Sequence, residues 1–266
     1  MTTGARPVPR LSFGSSGPAP GQRTLPEEVA VALTFNGSTQ AVMMATPADL
    51  VDFAYGFALT EGIATPDQID SVEIVPRPKG IEVQVWLAAD ANARLAARRR
   101  TMTGPVGCGL CGIDSLDQAL REMPAVPESA FAMTPAQITA AIAALPHAQP
   151  LHDATRAVHA AGFWSGHLRA TREDVGRHNA LDKLAGHLAR EPFLPGTILL
   201  TSRVSIDMVQ KVAALRLPML IAVSAPTAEA VSLAETCGIT LIALARPDRF
   251  EVFTHTDRVR MTADVG

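Results

Sequence analysis

Thr197-Ile198-Leu199-Leu200, Met219-Leu220-Ile221-Ala222-Val223 and Ile239-Thr240-Leu241-Ile242-Ala243-Leu244 are three short, unbroken apolar runs. Strands without polar alternation belong to a sheet covered on both faces. Ser205 to Leu215 and Ala228 to Cys237 lie between them and read as helices, the second closed by Gly238. Strand, helix, strand, helix, strand predicts parallel pairing through right-handed crossovers. A hairpin over 154–163 and 166–171, a helix over about 176–190 and a last strand over 251–256 complete this half. The fold class expected is α/β. Residues 126–266 form a three-layer α/β/α domain with a mostly parallel sheet.

Outward from this core, the first half reads as a smaller α+β domain over 25–125. Glu28 to Phe35 is a strand, Asn36-Gly37 a hairpin turn and Gln40 to Ala45 the returning strand. Thr46-Pro47 predicts a helix start, with the helix running through Glu61 to a stop at Gly62. Residues 72–75 and 81–87 alternate as half-buried strands. Helices are expected over 89–100, 115–121 and 134–145, with Pro124 to Pro127 as a linker. Residues 1–24, rich in Pro, Gly and Ser, read as a disordered tail.

The 266 residues are 47% hydrophobic but only 5% aromatic, so aliphatic side chains must supply the packing. A net charge of −3 provides no whole-protein basic field and argues against nucleic-acid or anionic-membrane partners. The N-terminus lacks the apolar segment of a secretory signal, and no apolar run approaches the roughly 18 residues of a membrane span. Three cysteines without a disulfide framework suit a reducing compartment, so a cytoplasmic protein is expected.

In an open α/β sheet, ligands sit beyond the carboxyl ends of the strands. Three loops fall there: Thr201 to Ser205, Ser224 to Thr227, and Ala245 to Arg249. They offer Arg203, Ser205, Ser224, Thr227, Arg246 and Arg249 near helix N-termini, a setting suited to phosphate. Glu173-Asp174-Val175-Gly176-Arg177-His178-Asn179-Ala180-Leu181-Asp182-Lys183 is the densest polar run. It reads either as caps and an exposed helix face, or as a site wall with Arg177, His178 and Lys183 toward an anion.

Gly107-Cys108-Gly109-Leu110-Cys111-Gly112 carries two of the three cysteines. A structural zinc site needs four ligands, and only one such pair exists. A thioredoxin-type couple should open a helix after a strand, whereas this pair follows a basic helix end. Cytidine-deaminase chemistry needs H-x-E upstream of P-C-x-x-C; no histidine has Glu two residues later, and Gly107 precedes Cys108. A carrier thiolate that takes up sulfur as a persulfide is the remaining reading, which residue chemistry permits without singling it out.

Four stretches, taken in order, resemble the FdhD family of formate dehydrogenase accessory sulfurtransferases: the C-x-x-C loop, the Glu173–Lys183 run, Ser202 to Ser205 with Met208 to Lys211, and Ser224 to Thr227. Val42 to Pro47 and Gly56 to Gly62 are also similar, so the resemblance covers about residues 27–260. It implies sulfur uptake from a cysteine desulfurase and its delivery to the molybdenum of the bis-guanine-dinucleotide molybdenum cofactor. That cofactor is a bound substrate, with no permanent cofactor or metal, and it then enters formate dehydrogenase. By motif, Cys108 carries the persulfide and Cys111 assists it. Leu244, Ala245, Arg246, Pro247, Asp248 and Arg249 match the cofactor-binding segment. The resemblance also implies a cytidine-deaminase-like C-terminal half and a homodimer. A cofactor chaperone without sulfur transfer is the alternative.

Overall fold

The computed structural model describes residues 4–89 and 123–261. The helix expected over 89–100 lies outside the described residues beyond its first position, as do the helix expected over 115–121 and the loop bearing Cys108 and Cys111.

The first half is built on a four-stranded sheet of β3 (Val29–Phe35), β4 (Ser38–Ala45), β5 (Ile69–Arg77) and β6 (Gly80–Leu87), in the order β4-β3-β6-β5. Helix α1 (Leu50–Thr60) covers one face, and Leu33, Phe35, Phe53, Phe57 and Val85 form the core between them. Thr46 does not cap this helix. Its N-cap is Asp49, in the left-handed region at φ 53°. Thr46 is fully buried, and its hydroxyl accepts instead from the Val175 amide at 3.2 Å.

Residues expected to be a disordered tail form an antiparallel ribbon, β1 (Ala5–Gly14) and β2 (Gly17–Pro26). Pro and Gly usually end strands, but Pro7, Pro9, Pro18, Pro20 and Pro26 all fall in pairs of this register that need no donor from them.

The second half is a six-stranded sheet of β7 (His159–Ser165), β8 (His167–Asp174), β9 (Thr197–Leu200), β10 (Met219–Ala222), β11 (Thr240–Arg246) and β12 (Arg249–Val252). The order is β12-β11-β10-β9-β7-β8. The β9–β10 and β10–β11 pairings are parallel; the other three are antiparallel. The sheet is thus mixed rather than mostly parallel, because the β7–β8 hairpin and the short β11–β12 return frame the parallel centre. The expected first strand of that hairpin begins late, since residues 150–155 form helix α3 (Pro150–Thr155).

Helices α4 (Arg177–Ala189), α5 (Ile206–Ala214) and α6 (Ala228–Thr236) pack on one face through Leu181, Leu184, Met208, Val212 and Ala234. Helix α2 (Pro135–Ala144) covers the other through Ile138 and Ile142, against Leu199 and Ile221. The unbroken apolar strands have this cause: neighbouring Ile198 and Leu199 point to opposite faces, and both are fully buried. Each such side chain contributes about 1.5–3 kcal/mol of transfer free energy.

The two halves meet where α1 crosses α4. A Cβ on Gly56 would stand 1.7 Å from the Asp182 carbonyl oxygen, and one on Gly186 1.8 Å from that of Asp52. Backbone lies on backbone at this crossing.

Candidate functional site

Strand direction assembles the site. β8 runs antiparallel to β7, and β7 antiparallel to β9, so the end of β8 shares an edge with the carboxyl ends of β9 and β10. The loop after β9, the loop after β10, the β11–β12 turn and the start of α4 therefore line one rim. From β11 to β8 the rim spans four strand spacings, about 19 Å.

Main-chain bonds tie the loops together. The Val204 amide donates to the Ala225 carbonyl at 3.2 Å, the Thr227 amide to Val204 at 2.9 Å, and the Leu244 amide to Ser224 at 3.3 Å. Thr227 caps α6, its hydroxyl accepting from the Ala230 amide at 3.2 Å. Ser205 is the N-cap position of α5, and its hydroxyl donates 3.4 Å to Asp207. Leu244 sits at φ 52°, beside a register shift that turns the chain outward before Arg246. Ala245 is buried, whereas Arg203, Pro247, Asp248 and Arg249 are exposed. Arg246 donates to the carbonyls of Val223 and Ala245, while Arg249 lies 3.7 Å from Asp248 and keeps most of its surface in water. Among the described residues, the structure thus brings the predicted segments to one edge; the cysteine loop lies outside them.

The Glu173–Lys183 run divides by function. Glu173 accepts from the Leu151 and His152 amides at 2.9 and 2.8 Å, anchoring the start of α3. Asp174 accepts from the Thr46 amide and pairs with Lys183 at 2.7 Å; Lys183 also donates to the Thr46 carbonyl. Asn179 donates to the Met44 carbonyl at 2.9 Å. Asp182 accepts from Thr60 at 2.6 Å and from Lys211 at 2.9 Å. These groups bind the halves together, so Lys183, read from sequence as a possible site wall, is an interior residue with no exposed side-chain surface.

Arg177 and His178 remain for the rim. Arg177 Nε and His178 Nε2 have no hydrogen-bond partner among the described residues although both atoms are buried. Buried donors without partners call for an acceptor. His178 Nε2 lies 3.6 Å from Asp207 Oδ2, and the imidazole holds the Asp207 carboxyl below the usual range. His159 opens β7 opposite Asp174. Burial, then the neighbouring Arg177, pushes its imidazole below the usual histidine range. Sequence reading missed Asp207 and His159. The only signal for Asp207 was its place in the first turn of the helix after β9; His159 becomes visible only through the β7–β8 register.

The donor set fits an anion of the phosphate class: one guanidinium, one imidazole, three helix N-termini and, farther along, Arg246 and Arg249. An apolar cavity of about 470 Å³, lined by Leu59, Phe163, Leu188, Phe193 and Leu217 among others, includes none of these residues.

The sequence model of the FdhD/NarQ family matches residues 26–260. A protein of Agrobacterium fabrum described as sulfur carrier protein FdhD is 52% identical over 260 residues, covering 96% of each chain. Its Brucella abortus counterpart, described in the same words, is 50% identical over 96% of this chain and 97% of its own. The crystal structure of a Desulfotalea psychrophila protein, described as a formate dehydrogenase accessory protein, superposes with a TM-score of 0.76 at 25% identity, covering 96% of this chain and 99% of that one. The chain belongs to the FdhD/NarQ family.

Proposed function

We propose that this chain is a cytoplasmic sulfur carrier serving formate dehydrogenase. The Cys108 thiolate attacks the outer sulfur of a persulfide on a cysteine desulfurase. The donor's S–S bond breaks, its cysteine leaves as a thiolate, and the sulfur stays on Cys108 with no net redox change. The Cys111 thiolate then attacks the Cys108 sulfur. A disulfide forms, and the terminal sulfur leaves as sulfide, the oxidation level suited to the molybdenum of the bis-guanine-dinucleotide cofactor. A thiol reductant reopens the disulfide. The Leu244–Arg249 segment, with Arg177, His178, Arg203, Ser205, Ser224 and Thr227, holds the phosphates of that substrate. The same reading makes residues 25–125 and 126–266 two domains, the second cytidine-deaminase-like.

The observation that carries this reading is the 50–52% identity, over nearly the whole chain, to proteins described as sulfur carriers. The Arg177 Nε donor, buried and without a partner among the described residues, supports an anionic substrate.

Intact mass tests it. After incubation with a cysteine desulfurase and cysteine, the wild type should gain one sulfur atom that Cys108→Ala does not. An unmodified wild type would sink the sulfur role. A Cys108→Ser/Cys111→Ser protein that still activates the dehydrogenase would favour a chaperone instead. On the substrate side, Arg249→Ala should weaken guanosine diphosphate binding about tenfold, as expected for losing a charge-assisted hydrogen bond of roughly 1.5 kcal/mol. Unchanged affinity by calorimetry would remove the turn from the site.

A further inference from the structure

His178 is the second residue of α4 and Asp207 the second of α5, and the two helix starts carry them together on the rim. His178 Nε2 is a buried atom 3.6 Å from Asp207 Oδ2, yet the side chain keeps 32% of its surface in water. The exposure therefore lies on the rest of the ring, which carries Nδ1. The Ser205 hydroxyl donates to the same carboxylate oxygen at 3.4 Å, and the imidazole holds the Asp207 carboxyl below its usual range. A carboxylate facing one ring nitrogen fixes the tautomer and the ring's orientation, and leaves the other nitrogen to handle a proton.

The surrounding groups are committed elsewhere. Burial and then Arg177 push His159 of β7 below the usual histidine range, with His152 of α3 and Asp174 of β8 also acting on it. His152 faces the Val158 carbonyl at 3.3 Å, and Asp174 is spent on Lys183. Lys211 of α5 acts on Asp207 but is itself paired with Asp182 and Glu61. Among these described groups, only His178 combines an exposed ring edge with a carboxylate fixed behind it. Arg177 stands beside it, its Nε buried and without a partner among the described residues.

The dyad lies past the end of β9, two strand spacings or about 10 Å along the sheet from β11 and its turn. A cofactor anchored at Leu244–Arg249 by its nucleotide phosphates extends its metal end along the rim toward His178.

Delivery of sulfur to that end needs a proton. When sulfide replaces an oxo group, hydrosulfide brings one proton, and the oxygen needs two to leave as water. We infer that His178, held by Asp207, donates the second proton to the departing oxygen, a step that rests on the sulfur-carrier reading above. The metal–sulfur bond forms from a sulfide electron pair. The metal–oxygen bond breaks with its pair on oxygen, which takes up the hydrosulfide proton and the His178 proton. Nothing is oxidised or reduced, and the imidazole regains its proton from water. His178 is then a catalytic residue and Asp207 a positioning residue, while the Arg177 guanidinium steadies the charge that gathers on oxygen.

Single-turnover delivery tests it. The full chain is loaded with radioactive sulfur by a cysteine desulfurase and cysteine, and loading is read by intact mass. It is then mixed with saturating molybdenum cofactor, and the rate at which label reaches the cofactor is expressed per loaded protein. His178→Gln should deliver about a hundredfold more slowly. The ratio of wild-type to His178→Gln rates should fall as pH rises from about 6 to about 8, where an imidazole gives up its proton. Asp207→Asn should slow delivery at least about tenfold, and Asp207→Glu should recover part of that. Added imidazole should restore delivery by His178→Gly, which it would not do for a misfolded variant. A His178→Gln protein that delivers at the wild-type rate, or a rate ratio that does not change with pH, overturns the inference and leaves the carrier reading standing. A wild type that takes up no sulfur overturns the carrier reading and the inference with it.

Discussion

Lys211→Met is expected to lower the free energy of unfolding by about 3–5 kcal/mol, the cost of leaving a buried carboxylate without its partner. Lys211 Nζ lies 2.9 and 3.1 Å from the two oxygens of Asp182, 2.9 Å from Glu61 and 3.0 Å from the Thr60 hydroxyl. Asp182 is 1% exposed, so water cannot replace the lost ammonium. Burial pushes Asp182 toward its protonated form and by itself would pull Lys211 down. The carboxylates around the ammonium outweigh that, and Lys211 is raised above the ordinary lysine value of 10.5. Lys211 therefore keeps its proton at neutral pH. A raised lysine stabilises the fold fully below its unfolded pKa, so the contribution should persist across neutral pH and fade only as pH climbs past about 10.4.

Urea unfolding at pH 7 measures the loss. The double variant Lys211→Met/Asp182→Leu should recover much of it, because removing both charges also removes the desolvation cost. A single-variant loss below about 1 kcal/mol would mean that the pair behaves as a surface ion pair.

The role of Lys211 shows where sequence reading stops. Apolar periodicity disclosed the β9–α5–β10–α6–β11 core, because buried strands in a covered sheet have no polar face. It placed Arg203, Ser205, Ser224 and Thr227 on one edge for the same reason, since strand direction decides where loops fall. It did not disclose that Asp174, Asn179, Asp182 and Lys183 face the other half. A charged helix that meets another polar, buried surface has the same residue pattern as one that meets water. Nor did it find the ribbon. Proline and glycine usually end strands, and only the register shows that each proline occupies a pair needing no donor. Arg177 and His178 were legible as candidates. Their neighbours His159 and Asp207 were not, because contacts across strands and between helix starts have no fixed spacing in sequence.

Gly186→Ala should destabilise the protein by roughly 3 kcal/mol or more, at or beyond the top of the range for overpacked cores. Helix propensity alone predicts the opposite sign, a gain of about 1 kcal/mol for alanine in a helix interior. Geometry decides against propensity. The new methyl would stand 1.8 Å from the Asp52 carbonyl oxygen and 2.6 Å from the Gly56 amide nitrogen. Both obstacles are backbone, so no side chain can turn aside. α1 must move off α4, and that movement loosens every bond which crosses the same seam. Among them are the Thr60–Asp182 and Lys211–Asp182 contacts and the Arg172–Asp52 pair at 2.7 Å. Gly14→Ala is the control, because a Cβ there meets nothing within 4 Å, and it should be near neutral in urea. Gly56→Ala should cost about as much as Gly186→Ala, but the double variant should cost less than their sum, since one separation of the helices makes room for both methyls. Full additivity would show that the two glycines do not share one crossing. A neutral Gly186→Ala would show that α1 yields freely, and that the buried charges between the halves do not hold it in register.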